Sequence, residues 1–370
     1  MNKSLNSKAQ SDFAKIDLVF WTIVIVLGAT EFGNLVSQLR FLKYLPLAAA
    51  LILLVKNNFT ISTSRVKYFA PFLMIVLWSA TKLLFGQPIS IPELIFIISS
   101  FILFFFEFNL DLNYKLINQF LFAFFFLSVG LKIQIDFSLE ALLASETSSG
   151  ETNMLPFLFG FFTLFWVVKR NWLYVVVNIF FSILTFKRIA IVGIIIGLLY
   201  WILPSRFKNF INRIHLPIII NLTLLMFFFF VASGAFDEAV KELTGLSIGH
   251  FTQGRSTFFE LVFSPLEEIS LRVLSVGIGQ GQLVELLFYQ LGERQLFHND
   301  LVKIFVENGL IVFLLFFSFF YRRKTHSQML LALYLNVLFI TDNTLIYTPV
   351  IFLFLLFTAE FDIQHTKNVR

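Results

Sequence analysis

Cysteine is absent from the 370 residues, which removes disulfides, thiolate nucleophiles and cysteine-based zinc sites at once. Charge is scarce too: Asp, Glu, Lys and Arg make up 14% of the chain, against roughly 25% in soluble domains. That shortage excludes an ordinary water-facing globule. What fills the space is apolar. Hydrophobic residues reach 58%, and Phe alone occurs 52 times. Apolar runs recur from Ile16 to Phe361. The opening stretch, Met1 to Asp17, is polar with scattered lysines and has no cleavage pattern, so the first apolar run is expected to stay as a helix. The net charge of +5 reads as loop charge that sets orientation, not as a nucleic-acid surface.

A span needs about 20 mostly apolar residues. Spans are expected near 17–34, 41–55, 68–85, 90–106, 116–133, 154–168, 172–186, 189–203, 215–233, 303–320, 328–341 and 345–361. The fold class is therefore all-α: a polytopic integral membrane protein with about twelve transmembrane helices. It forms a single transmembrane domain over 1–370, with one large loop at 234–302.

Lys and Arg in the loops set the direction. With a cytoplasmic N-terminus, 17 of the 28 basic residues fall on the cytoplasmic side. Five of the others lie in the long loop and its exit, where the rule has little force, so the useful comparison is 17 against 6. Both termini are then cytoplasmic. The external segment 134–153 holds four acids and no base, in agreement. Lys187-Arg188 tests the count. A single helix from Trp172 to Leu203 would be about 48 Å long, against a hydrocarbon core of about 30 Å. It would also bury two charges at roughly 2.5–3.5 kcal/mol each. Two short helices with Lys187-Arg188 at the outer turn fit better.

The long loop is external and has helical stretches. Phe236 to Leu243 carries helical spacing. A second helix is expected from Arg255, where Thr257 and Glu260 match a capping box. Pro265 opens a further one, Leu266 to Val276. Gly277-Ile-Gly-Gln-Gly281 breaks the pattern, and Gln282 to Leu291 resumes it. These short amphipathic helices suit a lid or substrate platform at the bilayer surface. The glycine run is no dinucleotide fingerprint, because no βαβ unit surrounds it.

Against a mostly acidic loop, the arginines stand out. Arg255 sits at an expected helix N-terminus, where free N–H groups and a guanidinium fork suit phosphate. A solvated helix-start arginine is the plainer alternative. Lys187-Arg188 is a second external cationic pair, or else an interfacial snorkelling one. Two histidines, His250 and His298, are external. His298 lies where the chain re-enters the membrane, on the same side as the arginines. The external loops show no His/Cys metal spacing and no Asp-x-Asp pair.

At these residues the sequence resembles the superfamily of O-antigen polymerases and O-antigen ligases. Three features carry the resemblance: Phe186-Lys-Arg-Ile-Ala190 between two short helices; Gly254-Arg255-Ser256 opening the large loop; and Gly277-Ile-Gly-Gln-Gly281 followed by Phe297-His-Asn-Asp-Leu301 and Glu307-Asn-Gly-Leu310. In architecture the likeness covers most of the chain; in motifs it covers about 185–310.

The resemblance implies a metal-independent C-type glycosyltransferase of a bacterial inner membrane, with a periplasmic active site and no cofactor. The implied substrates are glycans on undecaprenyl pyrophosphate. A polymerase moves the growing chain onto the next lipid-linked repeat unit; a ligase moves it onto the lipid A core. The implied catalytic residues are Arg188, Arg255 and His298. Lys187, Ser256, Arg272, Arg294 and Asn299 are the implied substrate-binding residues. Arginines neutralise a departing pyrophosphate without a metal. His298 either takes the acceptor's proton or binds phosphate as a cation. Membrane lipid, a chain-length regulator and a repeat-unit flippase are implied partners. From another class, a lipid-linked oligosaccharide flippase would place cations within its helices facing a cavity, but Lys82 and Lys132, the clearest basic residues inside spans, both stand near outer ends.

Overall fold

The computed structural model describes residues 18–32, 37–61, 63–106, 108, 112–131, 154–185, 187–244, 255–263, 271–292, 295, 297–323 and 325–369. The acidic segment 134–153, Lys132, His250, Gly254 and Arg294 lie outside the described residues, as do the side chains of Arg255 and Arg272.

Among the described residues the chain is all-helical and has no strand. The first half holds α1 (Leu18–Phe32), α2 (Leu45–Lys56), α3 (Val66–Leu84), α4 (Ile91–Phe101), α5 (Tyr114–Leu131), α6 (Leu155–Val168), α7 (Trp172–Leu184) and α8 (Arg188–Ile202). Then come α9 (Ser205–Ile211) and α10 (His215–Ala232). The long loop holds α11 (Asp237–Thr244), α12 (Arg255–Phe263), α13 (Leu271–Val276) and α14 (Gln282–Leu291). The chain ends in α15 (Asp300–Phe320), α16 (His326–Thr341) and α17 (Thr348–Val369).

Local chemistry sets many of these boundaries. Prolines stand in the first turns of α2, α4 and α6, where a missing N–H leaves no orphan. Thr325 and Gln328 close a capping box on α16. Gly281 and Gly292 bracket α14, both in the left-handed region. The helix break at Lys187 stands where two buried charges would otherwise fall.

One detail of the long loop differs from expectation. Helix α12 is already under way at Thr257, so Thr257 and Glu260 form no capping box; both are exposed. Of the expected helix Leu266 to Val276, residues 266–270 lie outside the described residues and Leu271–Val276 is helical.

The packing separates inner helices from outer ones. In α6 every residue but the last is buried, as expected of a helix that is apolar all round and sits at the core. It packs against α5, α7, α8, α16 and α17. Helix α7 shows the other arrangement. Val175, Asn178, Phe181 and Ser182 are buried, while Trp172, Leu173, Val176 and Phe180 are exposed. Both faces are apolar, so the outer one matches hydrocarbon and not water. By length and composition α3, α10 and α15 reach across a membrane.

Glycines let the inner helices approach closely. The Tyr334 ring of α16 lies over Gly160 of α6 and Gly193 of α8, and its hydroxyl donates to Phe157 O at 3.0 Å. A methyl at Gly160 would overlap the Tyr334 hydroxyl. Gly160→Ala should therefore destabilise by about 1–3 kcal/mol, seen as a lower melting midpoint in detergent. An unchanged midpoint would show that Tyr334 is free to swing away.

Candidate functional site

The site begins with a buried carboxylate. Asp342 caps the C-terminus of α16 in an extended conformation, and its side chain is 3% exposed. Four groups converge on it. Lys187 Nζ lies 2.9 Å from Oδ2. Tyr347 Oη donates to Oδ1 at 2.8 Å, and the Asn343 N–H does so at 2.8 Å. His298 Nδ1 lies 3.4 Å from Oδ1, a long contact. Burial by itself would push the Asp342 carboxyl up. Hydrogen bonds from His298, Lys187 and Tyr347, with the charge of Lys187, outweigh it and hold the carboxyl well below the usual range.

His298 itself is 43% exposed at the rim. With Nδ1 turned to a carboxylate, Nε2 is the nitrogen left for other work. Lys187 also lies over the Phe157 ring, 5.2 Å from its centre.

A second network anchors the segment that carries His298. Helix α15 is broken at Gly309, which has φ 80° and ψ 170°. A break of this kind frees carbonyls one turn earlier. The glycine strap 277–281 takes them up: Ile278 N donates to Val306 O and Gly279 N to Glu307 O, each at 2.9 Å. Lys82 Nζ adds bonds to Gly277 O at 3.1 Å and Glu307 O at 2.8 Å. Gly277 has φ +80° and lies against the backbone of Glu307 and Asn308; Gly309 lies against Ser275 O. Around the strap, Lys303 Nζ pairs with Glu93 at 2.8 Å. Gln280 Nε2 donates to Glu93 at 3.1 Å, and its Oε1 accepts from Asn308 Nδ2 at 3.2 Å.

These contacts sort the residues singled out from sequence. Lys187 and His298 meet at Asp342. Arg188 opens α8 beside Lys187 and is exposed. The helix that Arg255 begins packs on α10 and α14, and its Phe259 meets Phe297 edge to face at 5.5 Å. Phe297 precedes His298, so the start of α12 lies one helical turn, about 6 Å, from that contact. Ser256 is the second residue of this helix. Arg272 belongs to α13, which packs on α15.

Two of the implied substrate-binding residues make contacts within the chain. The Lys187 ammonium pairs with Asp342. Asn299 is buried as the N-cap of α15, its oxygen accepting from Val302 N at 2.9 Å. Lys82, placed near an outer helix end from sequence, is buried against the strap.

Asp342, Tyr347, Glu93 and Lys303 were missed as site residues. A signal for Asp342 existed: Thr341-Asp-Asn-Thr344 is four polar residues in a turn between two apolar runs.

The fold and surface define an all-helical protein of membrane character. No family model matches the chain, and no curated protein or solved structure gives a significant match.

Proposed function

We propose that the chain is a polymerase of undecaprenyl-pyrophosphate-linked oligosaccharide repeat units, acting at the periplasmic face of a bacterial inner membrane. In this reading twelve helices span, both termini are cytoplasmic and the loop 234–302 covers the site. The observation that carries it is the meeting of His298 and the Lys187-Arg188 junction at Asp342.

An acceptor sugar hydroxyl attacks the anomeric carbon of the donor glycan. The new glycosidic C–O bond forms as the bond from that carbon to the pyrophosphate oxygen breaks. The hydroxyl proton passes to His298 Nε2. Asp342 holds the imidazole by Nδ1 and stabilises the imidazolium that results. Undecaprenyl pyrophosphate leaves with its electron pair, and the cations of Arg188 and Arg255 offset the charge. Pyrophosphate is already a good leaving group, so charge neutralisation suffices. The exposure of His298 beside buried Asp342 supports a base open to solvent and substrate.

The buried Lys303–Glu93 pair is an observation that favours a transporter. Its partners Gln280 and the strap lock it at helix ends, which suits an anchor better than a moving cation.

The test is a polysaccharide gel after deletion of the gene, with variants in complementation. Arg188→Ala and Arg255→Ala should each reduce the ladder to core bearing a single repeat. Bare core with lipid-linked polymer would instead mark a ligase. Normal ladders from both variants would sink the anion assignment.

A further inference from the structure

At the end of α15 opposite Asp300 lies a cavity of about 260 Å³. Lys67, Tyr68, Ala70, Phe319, Arg322, Arg323, Gln328 and Asp362 line it. A single water occupies roughly 30 Å³ in the liquid, so the space suits a multi-atom guest. Its charges are unbalanced. Asp362 is taken by Lys67 and by the Tyr68 hydroxyl, the latter at 2.6 Å. Arg65 is turned away, donating to Phe106 O and to Phe108 O at 2.8 Å. That leaves two arginines. Arg322 is exposed. Arg323 has buried Nε and Nη2 atoms with no hydrogen-bond partner among the described residues.

Buried guanidinium donors without acceptors are costly. Burial pushes Arg323 down to about 9, which still leaves it a cation at neutral pH. The rings of Phe320 and Phe354, 5.3 Å and 4.9 Å away, hold the plane of the fork. They offer no acceptor along its edge.

We propose that this cavity binds a phosphate group, received on the edge of Arg323 with Arg322 as second cation. A guanidinium edge matches two phosphate oxygens. Two sources have that chemistry: the head group of an anionic phospholipid and a soluble phosphate. The surface favours the lipid. Ile311, Leu315 and Phe319 are 57%, 44% and 38% exposed. Their spacing of four puts them on one stripe of α15, ending at the cavity wall. An acyl chain along the stripe would bring its head group to the arginines, as basic pockets at helix ends do.

The experiment uses the purified full chain in detergent. Phosphatidylglycerol is added against phosphatidylcholine and followed by native mass spectrometry and melting. In a parallel arm inorganic phosphate is added against chloride at equal ionic strength. Wild type should bind at least one phosphate probe about tenfold or more tightly than Arg323→Met. Without either probe, Arg323→Met should melt at least as high as wild type, because an apolar side chain replaces a half-buried guanidinium whose Nε and Nη2 have no partner among the described residues. Response to the lipid alone assigns the lipid head group; response to inorganic phosphate assigns the soluble source. Equal binding by wild type and Arg323→Met overturns the proposal. If Arg323→Met does not fold, Arg322→Gln decides: weakened binding supports the site, and unchanged binding overturns it. Arg213→Gln, a basic change elsewhere on the chain, should leave binding unaltered.

Discussion

Lys303→Met should destabilise the protein by about 3–5 kcal/mol, seen as early loss of the monodisperse peak on heating in detergent. The Lys303 side chain is 2% exposed and that of Glu93 11%. Removing the cation leaves the Glu93 carboxylate facing a low-dielectric interior with the Gln280 amide as its remaining hydrogen bond. Glu307 and Asp300 also lie within electrostatic reach of Lys303, so three carboxyl groups lose the same cation. Met fills nearly the same volume, which separates loss of charge from loss of packing. The double variant Glu93→Leu/Lys303→Met should recover a large part of the loss. It should not recover all of it, because Glu307 and Asp300 remain. A double variant no more stable than Lys303→Met would show that the pair with Glu93 is not what holds Lys303 in place.

Asp342→Asn should lower polymer formation from lipid-linked repeat units by about 10³-fold or more, while the protein still folds. The amide keeps the shape of the carboxylate and the bond from Tyr347. It removes the charge that balances Lys187 and that would stabilise a protonated His298. Full activity in Asp342→Asn, assayed on purified protein, would leave His298 without its orienting partner and remove the base mechanism.

The same carboxylate sets a pH dependence of stability. Its folded pKa is depressed, so its stabilising effect is present above the unfolded value of about 3.9. It is lost only as pH falls through the lower folded value. Wild type should therefore exceed Asp342→Asn in stability from neutrality to about pH 4, and the margin should close below that. A margin that closes near neutrality would mean that another group is titrating.

The sequence makes the helices legible because apolar run length and Lys/Arg breaks are local properties. The break at Lys187 follows from helix length and the cost of buried charge alone. His298 and the Lys187-Arg188 step could be singled out by type and side of the membrane. Their meeting point could not. Asp342 is a lone acid in a short turn, and only the packing of α16 against α8 and α15 brings that turn to Lys187. The glycine strap was visible as a pattern break. Its partner was not, because the bonds run from main chain to main chain between 278–279 and 306–307. Lys303 looked like a loop-exit lysine for a related reason: a charge just before an apolar run reads as interfacial until its acid, Glu93, appears from a helix 210 residues away.

The break at Gly309 gives α15 two attachments. Its outer part, Asp300 to Asn308, is fastened to the strap, to Lys82 of α3 and to Glu93 of α4. Its inner part packs with the phenylalanines of the bundle. One continuous rod would carry a pull on the loop straight down to the opposite face. A rod hinged at Gly309 and braced above the hinge hands that pull sideways to α3 and α4. On the polymerase proposed above, His298 would thus keep its place over Asp342 even while a long polymer tugs at the loop beside it.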